Sequence, residues 1–276
     1  MRLFILTFLA LLAFAANSIL NRWALLDGAT GPMTFAFVRV LSGAIFLWLI
    51  VAVNDHKWRP KFHIFPSVSL SIYIICFSIA YLNLGIGIGA VVLFGAVQFT
   101  MFGLAALTSE EITLWRILGA IISFSGVCVL FLPTETFEIK INEMLIMILA
   151  AAGWGVYSFL GKNAKEPLLE TTQNLIWAVP FVSIFFILSP DGIGVKGFIL
   201  AILSGAITSG LGYVIWYSIL PFLKTSFAAI LQLSVPLMAA IAGVLFFSEE
   251  MTMELVFATI LVILGTFVSL IKRQGK

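Results

Sequence analysis

The chain has 276 residues, of which 62% are hydrophobic and only 10% charged, and its mean hydropathy is +1.15. A soluble domain carries about 25% charge, so this chain cannot clothe itself in a polar surface and reads as an integral membrane protein. The net charge of +2 is dispersed over short loops and gathers in no patch, which excludes a nucleic-acid partner.

A membrane-spanning helix needs about 20 predominantly apolar residues. Ten stretches qualify, at 3–22, 32–53, 66–84, 86–108, 114–132, 142–161, 170–189, 196–219, 225–247 and 252–271. Residues 1–16 also have the make-up of a secretory signal, with Arg2, an apolar run and then Ala13-Phe14-Ala15. Removing them would leave the first half a helix short, so they are expected to stay as the first span. Between spans three and four, Asn83-Leu84-Gly85-Ile86-Gly87-Ile88-Gly89 carries no charge. Alternating glycines fit a hairpin turn better than a helix interior, and one uninterrupted helix would be about twice what a bilayer accepts. The other connectors are short and carry turn residues, as in Asp27-Gly28-Ala29-Thr30-Gly31-Pro32 and Ser189-Pro190-Asp191-Gly192.

The segment Ser109-Glu110-Glu111-Ile112-Thr113 returns as Ser248-Glu249-Glu250-Met251-Thr252, an offset of 139 residues (109 to 248). The same shift lays Ile121 on Ile260, Gly126 on Gly265 and Val129 on Val268. The chain therefore divides into two five-helix copies, 3–132 and 142–271. Because five is odd, the second copy enters the membrane from the opposite side. With a cytoplasmic N-terminus, eleven Lys and Arg fall on the inside (Arg2, Lys57, Arg59, Lys61, Arg116, Lys162, Lys165, Lys224, Lys272, Arg273, Lys276). Three fall outside (Arg22, Lys140, Lys196). The positive-inside rule then puts both termini in the cytoplasm of a cell (inner) membrane.

The order of these features resembles the drug/metabolite transporter superfamily, EamA-type branch. They include the Glu-x-Thr corner after the fourth helix of each copy, Arg39 early in span two, Trp154-Gly155-Val156-Tyr157-Ser158 in span six and Val235-Pro236-Leu237 in span nine. The resemblance implies ten helices around a central cavity. It also implies transport of small metabolites, often amino acids or related solutes and frequently as export, in a lipid bilayer and without a cofactor. The sequence departs from the pattern twice: Val97-Gln98-Phe99 stands where the second copy has Val235-Pro236-Leu237, and Ala178 stands where the first has Arg39.

An arginine deep in a span costs roughly 2.5–3.5 kcal/mol on insertion scales, so Arg39 either pairs, lines a cavity or snorkels; Asp27 is the nearest expected partner. The expected substrate-binding set is Arg39, Asn17, Gln98, Trp154, Tyr157, Ser158, Tyr213 and Gln232, chosen because polar edges within apolar spans seek partners. Trp216 and Tyr217 fit an interfacial aromatic belt. Pro236 is an expected kink. Glu110, Glu111, Thr113, Glu249, Glu250 and Thr252 are helix-corner residues, with Thr113 and Thr252 as N-caps and the carboxylates favouring the start of the next helix. His56 and His63 share a solvated loop, and Cys76 and Cys128 are core residues, so no metal site is expected. No span holds a His, and no span interior holds an Asp or Glu, which argues against an intramembrane enzyme. A non-transporting structural or regulatory membrane protein is the other reading, and homo-oligomerisation is left open.

Overall fold

A computed structural model of the protein describes residues 1–25, 29–54, 58–80, 86–108, 110–131, 141–247 and 250–271. Asp27, His56 and Glu249 lie outside them. The described residues form an all-helical bundle of ten spans.

The first five spans are single helices: α1 Arg2–Leu25, α2 Pro32–Asn54, α3 Ile64–Ala80, α4 Ile86–Leu107 and α5 Leu114–Leu130. They are followed by α6 Ile141–Leu160 and α7 Pro167–Leu188. Proline opens α2 and α7, where its missing N–H forfeits no hydrogen bond. Span eight is composite: α8 Val195–Leu203 passes into a π-helical segment, Ser204–Leu211, and then into α9 Gly212–Ile219. Span nine is broken between α10 Thr225–Gln232 and α11 Ser234–Phe247. The last span is α12 Met253–Ser269. Seven spans are long and apolar helices of at least 18 residues, and α3, α5 and α12 are shorter apolar helices. Seventeen residues at 1.5 Å each still reach about 25 Å, within the range that crosses hydrocarbon. Thr113 caps α5 by accepting from the Arg116 N–H at 3.3 Å, and Thr252 caps α12 by accepting from the Leu255 N–H at 3.3 Å.

Burial is inverted relative to a soluble protein. Phe4, Phe65, Ile187 and Leu188 face outward, whereas Asn17, Arg39, Thr172, Asn174 and Gln232 are buried. The bundle thus turns hydrocarbon to lipid and keeps its polar groups for its own interior, as a multi-pass membrane protein must.

With lipid as solvent there is little hydrophobic drive between helices, so close backbone approach does the packing. α5 lies along α12 in this way: a Cβ on Gly265 would fall 2.5 Å from the Gly119 carbonyl oxygen, and one on Gly126 would fall 2.8 Å from that of Ala258. The other main pairings are α2 on α7, α3 on α6 and on α7, and α4 on α6. Exchanging span n for span n+5 leaves α2 with α7 as it is and turns the other three into further observed pairings. α3 with α6 becomes α1 with span eight, α4 with α6 becomes α1 with α11, and α3 with α7 becomes α2 with span eight.

Candidate functional site

A cavity of about 460 Å³ lies in the middle of the bundle, within the range of small-molecule sites. It is set toward one end: its walls come from the C-terminal halves of α1 and α3, from the N-terminal halves of α4 and α11, and from Pro32 at the start of α2. Four rings make the deep wall. Trp154 stands 5.3 Å from Phe14, 5.2 Å from Tyr213 and 5.0 Å from Tyr73, centroid to centroid, in edge-on and tilted arrangements. Asn17, Asn21, Ser78 and Gln232 add amide and hydroxyl groups, and among the described residues no charged side chain lines the space. Apolar walls with a few convergent polar groups suit a small organic solute.

The polar groups are held from both halves of the chain. The Trp154 Nε1–H donates to Gln232 Oε1 at 2.5 Å, while Gln232 Nε2 donates to Met101 Sδ and to the Ala228 carbonyl, both at 3.3 Å. The Asn17 Oδ1 accepts from Ser204 Oγ at 2.6 Å and from Thr208 Oγ1 at 3.2 Å. Both hydroxyls belong to the π segment, which adds a residue per turn relative to an α-helix. Ser204 and Thr208 meet α1, while Ser209, one residue on, meets α2.

Arg39 is buried and does not line the cavity. Its Nε donates to Ser209 Oγ and its Nη2 to the Tyr213 hydroxyl, each at 2.7 Å. The approach of α2 to the π segment depends on glycine: a Cβ on Gly205 would overlap the Arg39 carbonyl oxygen, and one on Gly43 would fall 2.7 Å from the Gly205 carbonyl oxygen. Arg39 is thus paired internally and does not snorkel, although its expected partner Asp27 is among the residues not described.

Of the eight residues singled out from sequence, Asn17, Trp154, Tyr213 and Gln232 line the cavity, and Arg39 stands directly behind Tyr213. Gln98, Tyr157 and Ser158 do not line it. Gln98 is buried with its Nε2 unpartnered among the described residues. Ser158 Oγ accepts from the Trp216 Nε1–H at 3.1 Å, and the Tyr157 carbonyl accepts from the Tyr217 hydroxyl at 3.0 Å. Trp216 and Tyr217 are buried in this contact, so neither belongs to an interfacial belt. Pro236 lines the cavity four residues beyond the end of α10. Tyr73 and Asn21 also line it. Tyr73, a lone aromatic hydroxyl in an apolar run, carried no sequence signal.

A second polar cluster seals the opposite end of the bundle. Glu110 does not cap α5, the next helix, which it touches through the Arg116 side chain. Its carboxylate accepts from the Thr225 N–H at 2.8 Å, from the Ser226 N–H at 3.2 Å and from the Ser226 hydroxyl, and so caps α10. Arg116 Nη1 and Lys162 Nζ each stand 3.5 Å from it. Burial pushes the Glu110 carboxyl up, but the Ser226 and Thr225 hydrogen bonds and the charge of Lys162 outweigh it and hold the group below the usual range. Glu111 and Glu250 are exposed. At the cavity end Asp191 plays the corresponding part for α2, accepting from the Met33 N–H at 2.9 Å and the Thr34 N–H at 2.7 Å. Sequence inspection found neither role, because both partners lie more than a hundred residues away. His63 is exposed, and the free thiols Cys76 and Cys128 are half-buried.

The model of the EamA-like transporter family matches residues 141–271. The chain is 36% identical to the uncharacterized protein PA1977 of Pseudomonas aeruginosa, over all of this chain and 96% of that one. It is 26% identical to an uncharacterized transporter of Archaeoglobus fulgidus, over 88% of this chain and 90% of its relative. The chain belongs to the EamA-like transporter family. It is therefore a transporter of the drug/metabolite type and not an enzyme. Uncharacterized transporter YwfM of Bacillus subtilis is 23% identical, over 89% of this chain and 86% of that one. One crystal structure of a protein shares the fold with a TM-score of 0.79 at 15% identity, covering 98% of this chain and 97% of that chain.

Proposed function

We propose that this EamA-type protein is a secondary transporter that exports small polar organic solutes, amino acids or their relatives, across the inner membrane. It works by alternating access between two inverted repeats, 3–132 and 142–271. The observation that carries the reading is the 460 Å³ cavity walled by both halves: Asn17 and Tyr73 come from the first, Trp154, Tyr213 and Gln232 from the second. Helix pairings that survive the exchange of span n for span n+5 support the repeat, since related halves can trade places around a fixed site.

With both termini cytoplasmic, the end toward which the cavity is set faces outward, and the Glu110 cluster closes the inner end. The described arrangement is then the outward-facing one. Arg39, Gln98, Tyr157 and Ser158 act from behind the cavity wall, while Asn17, Trp154, Tyr213 and Gln232 meet the solute.

Counterflow of a panel of radiolabelled amino acids into proteoliposomes tests the reading. Saturable exchange of at least one, abolished by Trp154→Ala at matched reconstitution, is the expected result. A panel in which no amino acid exchanges above empty vesicles would overturn the assignment of amino-acid-like solutes.

A further inference from the structure

The unusual feature of the cavity wall is a cation kept out of the cavity. A guanidinium donates only, so the Tyr213 oxygen, accepting from Arg39 Nη2 at 2.7 Å, must point its own O–H elsewhere. Tyr73 stands on the same wall, its ring 5.0 Å from Trp154, as that of Tyr213 is at 5.2 Å. Two phenols own two protons. They can share one hydrogen bond between themselves, and Arg39 accepts none, so one O–H remains to be satisfied. Both rings line the cavity, and the contents of the cavity are what that proton can reach.

We infer that Tyr213 and Tyr73 form a hydrogen-bond donor subsite for an oxygen acceptor of the solute, a carbonyl or carboxylate oxygen, and that Arg39 is the positioning residue behind it. Three observations support the assignment. Arg39 is fixed at a second point by Ser209, so its direction is set before any solute arrives. Ser209 comes from the π segment, and Tyr213 follows it by four residues on the same face, so one distortion of span eight sets both partners. The charge also strengthens the phenol as a donor, because hydrogen bonds polarise one another where the dielectric is low. The Trp154 N–H is already taken by Gln232, which leaves that ring to stack on the remainder of the solute. This subsite deepens the transport reading and rests on the same cavity, but it is tested by binding and can fail while transport stands.

The test uses the full chain in lipid nanodiscs and two probes with the same ring, L-phenylalaninamide and phenethylamine, at about pH 5.5, where both amines are protonated; only the first has a carbonyl. Titration calorimetry should give tighter binding of the amide by roughly five- to tenfold, the worth of one hydrogen bond. Tyr213→Phe and Arg39→Lys should each bring that ratio close to one while leaving phenethylamine within about twofold. The double variant should be no worse than Tyr213→Phe alone, because residues that act through one another are not additive. Tyr73→Phe should lower the ratio in part. A general structural loss would weaken both probes alike and leave their ratio intact, and that outcome overturns the inference. So does an amide preference that survives Tyr213→Phe but not Arg39→Lys, which would mean that Arg39 touches the solute itself. Wild-type protein that binds neither probe, or both equally, also overturns it.

Discussion

Glu110→Ala is the most direct perturbation of the closed end. It removes the acceptor for two backbone N–H groups at the start of α10 and for the Ser226 hydroxyl. It also leaves Arg116 and Lys162 without their carboxylate. An N-cap is worth about 0.5–2 kcal/mol, and a hydrogen bond to a charged group about 1.5–3 kcal/mol. These contributions overlap, since one side chain makes them all. The ion pairs add little: their N···O distances are 3.5 Å and the Lys162 side chain is 35% exposed. A loss of about 2–4 kcal/mol follows, visible as a fall in Tm of roughly 5–10 °C in nanodiscs.

Glu110→Gln keeps the shape and an acceptor, so it should cost less but change the pH dependence. The folded carboxyl is held low, so its stabilisation is complete above the ordinary carboxylate pKa and drains away as pH falls through the folded value. Wild-type Tm should therefore drop on acidification from about pH 6 to pH 3, and the Gln variant should follow a flatter course. Glu111→Ala, at an exposed neighbour, serves as the control and should be neutral. Equal pH slopes for wild type and Glu110→Gln, or an Ala variant within a degree of wild type, would refute the capping argument.

Gly265→Leu should abolish stable folding, because even a Cβ meets the Gly119 carbonyl oxygen at 2.5 Å and also the Ser123 hydroxyl; yield of monodisperse protein reads this out. Asn17→Leu should lower Tm by several degrees, since the Ser204 and Thr208 hydroxyls both lose an acceptor in the interior. His56 and His63, replaced together by Ala, should leave exchange unchanged in proteoliposomes, because His63 is exposed and lines no part of the cavity.

Most of the ten spans could be read from apolar run length, but Gly87 and Gly89, expected in the turn before span four, belong to the first turn of α4. What could not be read was distance across the fold. Glu110 precedes α5 and carries every local mark of capping it, yet the N–H groups it accepts from are those of Thr225 and Ser226. The π segment was equally hidden: Ser204-Gly205-Ala206-Ile207-Thr208-Ser209-Gly210 reads as ordinary apolar helix, and the residues it bonds to, Asn17 and Arg39, lie on other spans far away in sequence. The aromatic residues were visible as residues, but their grouping was not. Tyr213, Trp216 and Tyr217 share a face by spacing, yet only Tyr213 reaches the cavity, while the other two are drawn into buried bonds with Ser158 and Tyr157.

Pro236 connects the helix geometry to movement. A proline cannot donate to the carbonyl four residues earlier and crowds it, and that carbonyl belongs to Gln232, where α10 ends. Leu233 makes the tighter bond, its N–H to the Ile230 carbonyl at 3.0 Å, before α11 restarts. At this broken turn the Gln232 side chain holds Trp154 and Met101. The first copy has Gln98 near the corresponding position, inside an unbroken α4, so the two halves cannot bend alike. Pro236→Ala should therefore restore the Gln232 bond and join α10 to α11, gaining up to about 3 kcal/mol of helix stability and raising Tm. If the break is a working hinge, the same variant should exchange solute more slowly, with a lower maximal rate at saturating solute, because the movement is stiffened. A variant that is more stable yet exchanges at the wild-type rate would make the break a feature of packing alone, and one that loses stability would mean that the bend is imposed by the neighbours of span nine and not by its proline.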